Sequence, residues 1–124
     1  MYALLVVGII VIGTLGHMAY TYAVDSPFRI SSVTGKRLLK EHKVDLVLDV
    51  RTDVERKTLG FYPGSVHIPS ADLEKRMPTD YPNKDIRILA YCNTGHRARM
   101  ATEKLRKLGY VNAYYISSTY TTLQ

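Results

Sequence analysis

Residues 3–23 read ALLVVGIIVIGTLGHMAYTYA, an apolar run without a single Lys, Arg, Asp or Glu. As an α-helix this run would extend ~31 Å at ~1.5 Å per residue, against a bilayer hydrocarbon core of ~30 Å. A helix buried in a small soluble core rarely runs so far without a polar face. Tyr2 stands at one end and Tyr20 and Tyr22 at the other, where amphipathic rings favour the membrane–water boundary. The run therefore predicts a transmembrane anchor helix over residues 1–24, contacting lipid through residues 2–23. A cleaved signal peptide would carry a basic leader and a small-x-small cleavage site. Here no basic side chain precedes the run, and Thr21-Tyr22-Ala23 matches such a site poorly. His17 is the run's only ionisable side chain and is read as a neutral imidazole toward the interfacial end. Gly8, Gly13 and Gly16 lack the four-residue spacing of a helix-packing motif.

Everything charged follows the run. All 17 Lys and Arg occur from Arg29 onward, and Asp25 is the first of the 11 acidic residues. Arg29, Lys36, Arg37, Lys40 and Lys43 crowd the exit of the span, which predicts a single-pass protein with its folded part on the cytoplasmic side. One cysteine excludes an internal disulfide and suits a reducing compartment. The net charge of +6 is scattered and belongs to no recognised nucleic-acid module, so no nucleic-acid partner is expected. A positive field can instead draw small anions toward a site. One Cys and four dispersed His lack metal-ligand spacing, so neither a metal nor another cofactor is expected.

Residues 25–29 form a linker in which Pro27 interrupts helical continuity. Residues 30–124 then alternate between short apolar runs and polar or amphipathic stretches. Ser31 and Ser32 offer a cap to a basic helix reaching residue 42, with Val33, Leu38 and Leu39 facing inward. Residues 44–50 (VDLVLDV) read as a buried strand, residues 52–59 as a short helix and residues 66–68 as a brief strand. Ser70 starts a helix that Pro78 is expected to end. Residues 86–91 are a further strand, residues 97–108 a helix stopped by Gly109, and residues 113–116 a last strand. Such alternation predicts an α/β layer: a small parallel sheet flanked by helices, preceded by the transmembrane helix.

The stretch that carries chemistry is Tyr91-Cys92-Asn93-Thr94-Gly95-His96-Arg97-Ala98. It leaves the carboxyl end of a strand and enters a helix, the place where open parallel sheets bind ligands. Backbone N–H groups of such a loop converge on one point and are joined by the helix's positive end. An anion is stabilised there, and so is a thiolate. Arg97 and His96 lie beside Cys92 in sequence, with Arg99 and Arg87 as further cationic contributors. A lone cysteine is more often a small core residue. Neighbours such as Asn, Thr, Gly, His and Arg make poor core company, which favours a nucleophile.

At this point the chain resembles the rhodanese family over residues 28–116. Asp49-Val50-Arg51 matches the family's Asp-Val-Arg at a strand end. Gly60-Phe61-Tyr62-Pro63-Gly64-Ser65 followed by Ile68-Pro69 matches a Gly-His-Ile-Pro-Gly-Ala stretch leading to Ile-Pro, with Phe61 in place of the His. Cys92, Gly95 and Arg97 match the Tyr-Cys loop. Near the C-terminus, Ser117-Ser118 and Leu123 stand where relatives usually have Gly-Gly and Trp.

The resemblance implies a sulfurtransferase. Cys92 would take sulfur from thiosulfate or a persulfide and pass it to cyanide or a thiol. Asn93, Thr94, Gly95, His96 and Arg97 would form the substrate and anion-binding loop, with Asp49 and Arg51 in support. His67 would brace the loop. His96 falls where relatives vary, a position that often tunes substrate choice. Two other functions compete. A cell-cycle type phosphatase shares this fold and uses a loop cysteine, but its Arg stands further along; five positions separate Cys92 from Arg97, a cradle better suited to one sulfur atom. An inactive or weakly active membrane-tethered binding or assembly module would keep the fold without turnover.

Overall fold

The computed structural model describes residues 2–124. Parallel strands buried on both faces need apolar side chains at every position, and two segments supply them. Strand β1 (Leu46–Asp49) and strand β3 (Ile88–Tyr91) are buried throughout and pair in parallel, Leu48 opposite Ala90. Strand β2 (Val66–His67) adds to the outer edge of β1, and β4 (Ala113–Tyr115) to that of β3. The order is β2-β1-β3-β4, all parallel. Residues 28–30 extend the β4 edge: Tyr115 donates its N–H to the Phe28 carbonyl, and Ile30 N–H reaches the Tyr115 carbonyl.

Strand periodicity divides the core in two. Leu46, Leu48 and Val50, with Ile88, Ala90 and Cys92, face helices α4 (Leu73–Asp80) and α5 (His96–Lys107), meeting Leu73, Met77, Ala98, Ala101 and Leu105. Val47, Leu89 and Tyr91 face the opposite way, onto Ile116, Leu123 and Leu39 of helix α2 (Ser32–Lys40). The same parity that buries the strand sends the Cys92 side chain toward α5 and that of Tyr91 to the other face.

Helix α1 (Tyr2–Val24) is the apolar helix foreseen in the sequence, and only Val24 of it is buried. Helix α3 (Asp53–Leu59) opens with a capping box, in which the Thr52 hydroxyl accepts from Glu55 N–H and the Glu55 side chain accepts from Thr52 N–H. Short 3₁₀ turns occupy Ser70–Asp72 and Tyr120–Leu123.

Two local expectations fail for identifiable reasons. Val33 points to solvent, 78% exposed, because α2 seats itself through Gly35; a Cβ there would lie 3.1 Å from the Leu123 side chain. Val33 lies two residues from Gly35, roughly 200° around the helix at ~100° per residue, on the opposite face. Pro78 does not end its helix. It lies inside α4, which continues to Asp80, with Tyr81 N–H bonding the Met77 carbonyl. The carbonyl a proline leaves unpaired is that of residue i−4, here Glu74, an exposed residue whose carbonyl water can satisfy.

Candidate functional site

Cys92 follows the last residue of β3, and Gly95 is the residue before α5. Gly95 has φ 107°, a left-handed conformation that side chains resist. Space gives a second reason for glycine. A Cβ here would fall 2.8 Å from Ser117 Cα, 2.7 Å from Ser117 Cβ and 3.4 Å from Val24 Cβ. The sharp turn lets the loop fold back over the cysteine. Gly95 N–H then points at Cys92 Sγ from 3.1 Å, and Ala98 N–H, in the first turn of α5, does so from 3.4 Å. Two amides and the positive end of a twelve-residue helix therefore address one sulfur atom. Cys92 itself is 1% exposed and packs with the α5-side core. The core position and the polarised sulfur, alternatives in the sequence, coexist in one residue.

The loop's side chains are organised by a residue that sequence reasoning passed over. Glu55 accepts from both Nη groups of Arg97, at 2.6 and 2.7 Å, and from Asn93 Nδ2 at 2.6 Å. The Arg97 hydrogen bond, aided by the Thr52 bonds and opposed by partial burial, lowers the Glu55 pKa to about 2. The same pairing raises that of Arg97. Arg97 thus reaches the loop as half of an ion pair. The signal available in sequence was Thr52-x-x-Glu55, a capping box placed just after the Asp-Val-Arg strand end.

Behind the loop lies a buried charge cluster. Arg51, 1% exposed, donates from Nε to Asp49 Oδ1 (3.0 Å) and from Nη2 to Asp49 Oδ2 (2.9 Å) and the Gly60 carbonyl (2.6 Å). Its Nη1 reaches Asn93 Oδ1 at 3.3 Å, linking cluster to loop. Asp49 also accepts from Arg56 Nη1 and the Tyr91 hydroxyl, each at 3.1 Å. Burial would raise the Asp49 pKa, but the hydrogen bonds and charge of Arg51, with the Tyr91 hydroxyl, outweigh it and hold the carboxyl below its ordinary value. Burial also pushes the Tyr91 hydroxyl up. His67 Nε2 donates to the Arg51 carbonyl at 2.7 Å, so it braces this cluster and not the loop directly. Phe61 lies 3.9 Å from the Arg56 guanidinium, ring against cation.

Not every residue singled out in the sequence meets the sulfur. Thr94 is exposed. His96 turns away and donates from Nδ1 to the Ala23 carbonyl of α1 at 2.8 Å. Arg99 bonds the Tyr22 carbonyl and Glu103. Arg87 precedes β3, at the opposite end of the sheet, paired with Asp45. The side chains of His96, Arg99 and Arg87 do not converge on Cys92, because each has a carbonyl or carboxylate nearer to hand.

A cavity of about 400 Å³ flanks the loop, lined by Arg51, Leu59, Asn93, Thr119, Tyr120 and Thr121. Tyr120, which the sequence reading did not single out, lies with its ring 6.0 Å from that of Tyr91 and 5.7 Å from the Arg51 guanidinium. The 3₁₀ turn carrying it thus supplies a wall of this cavity. A second cavity of about 320 Å³, lined in part by Leu38, Lys43, Arg87 and Tyr114, includes none of these loop residues.

Comparison with known proteins agrees with the geometry. The YrkF protein of Bacillus subtilis is 38% identical over 64 residues, 52% of this chain and 33% of YrkF. Thiosulfate sulfurtransferase PspE of Escherichia coli is 33% identical over 49 residues, 40% of this chain and 47% of PspE. The matched segments thus cover less than half the length of either relative. The human single-domain sulfurtransferase TSTD1 superposes with a TM-score of 0.66 at 25% identity, covering 78% of this chain and 95% of that one. Residues 34–122 match the Rhodanese-like domain, and by that match, together with the parallel sheet and the loop at its carboxyl edge, the chain belongs to the rhodanese family.

Proposed function

We propose that this chain is a membrane-anchored sulfurtransferase in which Cys92 carries sulfane sulfur. The observation that carries the reading is the pair of amides, Gly95 N–H and Ala98 N–H, directed at Sγ. Such donors would stabilise negative charge developing on the sulfur atoms during transfer. In the first step the Cys92 thiolate attacks the outer sulfur of thiosulfate. A Cys–S–S⁻ bond forms, the donor's S–S bond breaks, and sulfite leaves with the electron pair. In the second step cyanide or a thiolate attacks the outer persulfide sulfur, giving thiocyanate or a new persulfide and restoring the Cys92 thiolate. Dividing the transfer into two displacements is covalent catalysis that needs no cofactor. Thiosulfate is the donor named for PspE, and it is small enough for the cavity beside Arg51 and Asn93.

In this reading Asn93, Gly95 and Arg97 face the incoming anion. Asp49 and Arg51 hold Asn93 in place from behind. Exposed apolar side chains run the length of α1, from Leu4 at 81% to Tyr22 at 81% exposure, a surface that calls for lipid. The basic residues among 29–43 support a cytoplasmic side for the folded part.

The second reading, a tethered binding module, draws on one observation: a thiol only 1% exposed. Mass spectrometry separates the two. After incubation with thiosulfate, the intact chain should gain one sulfur atom, lost on adding cyanide, and Cys92→Ser should gain none. A wild-type chain that stays unmodified overturns the enzymatic reading.

A further inference from the structure

The end of a helix leaves its last four carbonyls without intrahelical partners. In α1 those belong to Thr21, Tyr22, Ala23 and Val24. Each is satisfied, and three of the donors come from the folded domain. Thr21 accepts from the Asp25 N–H at 2.8 Å, Tyr22 from Arg99 Nη1, Ala23 from His96 Nδ1 at 2.8 Å and Val24 from the Tyr115 hydroxyl. Arg and His are the side chains a helix's negative end attracts. Val24 is buried at 2% exposure beside Gly95. A flexible tether would make none of these contacts; here the helix is docked onto the loop that carries Cys92.

Docking has a consequence for depth, and it rests on the anchor reading given above. Residues 3–23 span ~31 Å, so Val24 falls at the hydrocarbon boundary of a ~30 Å core. Headgroups extend the bilayer to ~40–45 Å, a layer of roughly 5–8 Å on each side. Gly95 and His96 touch the last turn of α1 and therefore lie inside that layer. A cleft of about 550 Å³ opens at the same level, lined by Thr21, Tyr22, Asp25, Ser26, Pro27 and Arg99. Its polar groups are already engaged within the protein: Arg99 with the Tyr22 carbonyl and Glu103, Asp25 with Arg29, the Thr21 hydroxyl with the His17 carbonyl and the Ser26 hydroxyl with Phe28 N–H.

We infer that the Cys92 loop is held within the headgroup layer of the membrane by the docked end of α1. Sulfur donors and acceptors that gather at the membrane surface then meet the loop at higher local concentration than those spread through bulk water.

Depth is measurable without reference to sulfur chemistry. Single cysteines replace Ile10, Thr94 or Val111 in the full chain carrying Cys92→Ser, each labelled with an environment-sensitive fluorophore in vesicles of phosphatidylethanolamine and phosphatidylglycerol. All three positions are exposed on the protein, and Val111 lies beyond the far end of α5, ~18 Å along a helix of this length. Nitroxides on acyl chains should quench the Ile10 label. Nitroxides on headgroups should quench the Thr94 label several-fold more than the Val111 label. A flexible Gly-Ser insertion after Val24 should bring Thr94 down to the Val111 level.

Equal headgroup quenching at Thr94 and Val111, with Ile10 still quenched by acyl chains, overturns the placement while leaving the anchor standing. An Ile10 label beyond the reach of acyl-chain nitroxides overturns the anchor and the placement together. Photoreactive headgroup lipids applied to the unsubstituted chain read the same depth. Adducts on residues 21–29 and 94–99 support it, and adducts spread evenly through residues 109–112 overturn it.

Discussion

Arg97 and Glu55, 42 residues apart, meet through two hydrogen bonds of 2.6 and 2.7 Å, and that pairing ties the first turn of α5 to the first turn of α3. The Cys92 loop lies between these two helix starts. Glu55 also holds Asn93, so one carboxylate fixes two of the loop's side chains.

Acid should release that hold. Glu55 has an ordinary pKa of 4.5 and is lowered to about 2 in the folded chain. Between those values the unfolded chain binds the proton and the folded chain does not. The stability Glu55 contributes is therefore complete above about 4.5 and is lost as pH falls toward about 2. Arg97 is 37% exposed, so solvent screening leaves a contribution on the order of 1 kcal/mol. Thermal melts from neutral to acid pH should show wild type losing this increment between those limits, while Glu55→Gln starts lower and lacks that part of the dependence. Parallel curves for the two proteins would dismiss the carboxylate's role. Sulfur loading of Glu55→Gln should also fall at neutral pH, since Asn93 and Arg97 lose their common anchor.

Asp49 and Asp45 offer a matched contrast between buried and exposed ion pairs. Asp49 is fully buried, and its loss would strand Arg51, Arg56 and the Tyr91 hydroxyl together. Leaving a buried cation unpaired costs about 3–5 kcal/mol. Asp45 pairs with Arg87 at the surface, both roughly half exposed, a geometry that contributes little to stability. Chemical denaturation should thus place Asp49→Ala several kcal/mol below wild type and Asp45→Ala close to it. Similar midpoints for both variants would contradict the cluster's structural weight.

Much of this architecture was legible before folding was considered. Apolar runs at residues 44–50 and 86–91 announced strands buried on both faces, and the polar loop between a strand and a helix located Cys92. What stayed hidden depends on partners distant in sequence. Counting charges could not reveal that Arg97 reaches the loop already matched by Glu55, or that Arg87 pairs with Asp45 at the opposite end of the sheet. His96 looked like a substrate residue because its neighbours in sequence line the loop, yet its ring bonds Ala23, 73 positions earlier. Tyr120 was passed over because nothing local distinguishes it; only the fold brings it beside Arg51 and Tyr91. Val33 and Pro78 misled for a local reason. A helix can seat itself through a glycine, and an exposed turn tolerates a missing N–H.

Gly95 and Gly109 both have left-handed backbones, with φ 107° and φ 102°, but differ in their surroundings. A methyl group at residue 109 would meet only the Lys84 side chain, at 3.7 Å. At residue 95 it would press on Ser117, whose Cα backbone atom would be 2.8 Å away. Gly109→Ala should therefore cost only the backbone strain of an L-residue in this region, about 1–2 kcal/mol. Gly95→Ala should cost more, since the backbone at Ser117 has to shift as well. The two also separate in chemistry. Gly95 supplies the nearer amide to Cys92 Sγ, so displacing it should abolish sulfur loading in a chain that remains folded at low temperature, whereas Gly109→Ala should load like wild type. Full loading of folded Gly95→Ala would show that this amide does not support the persulfide.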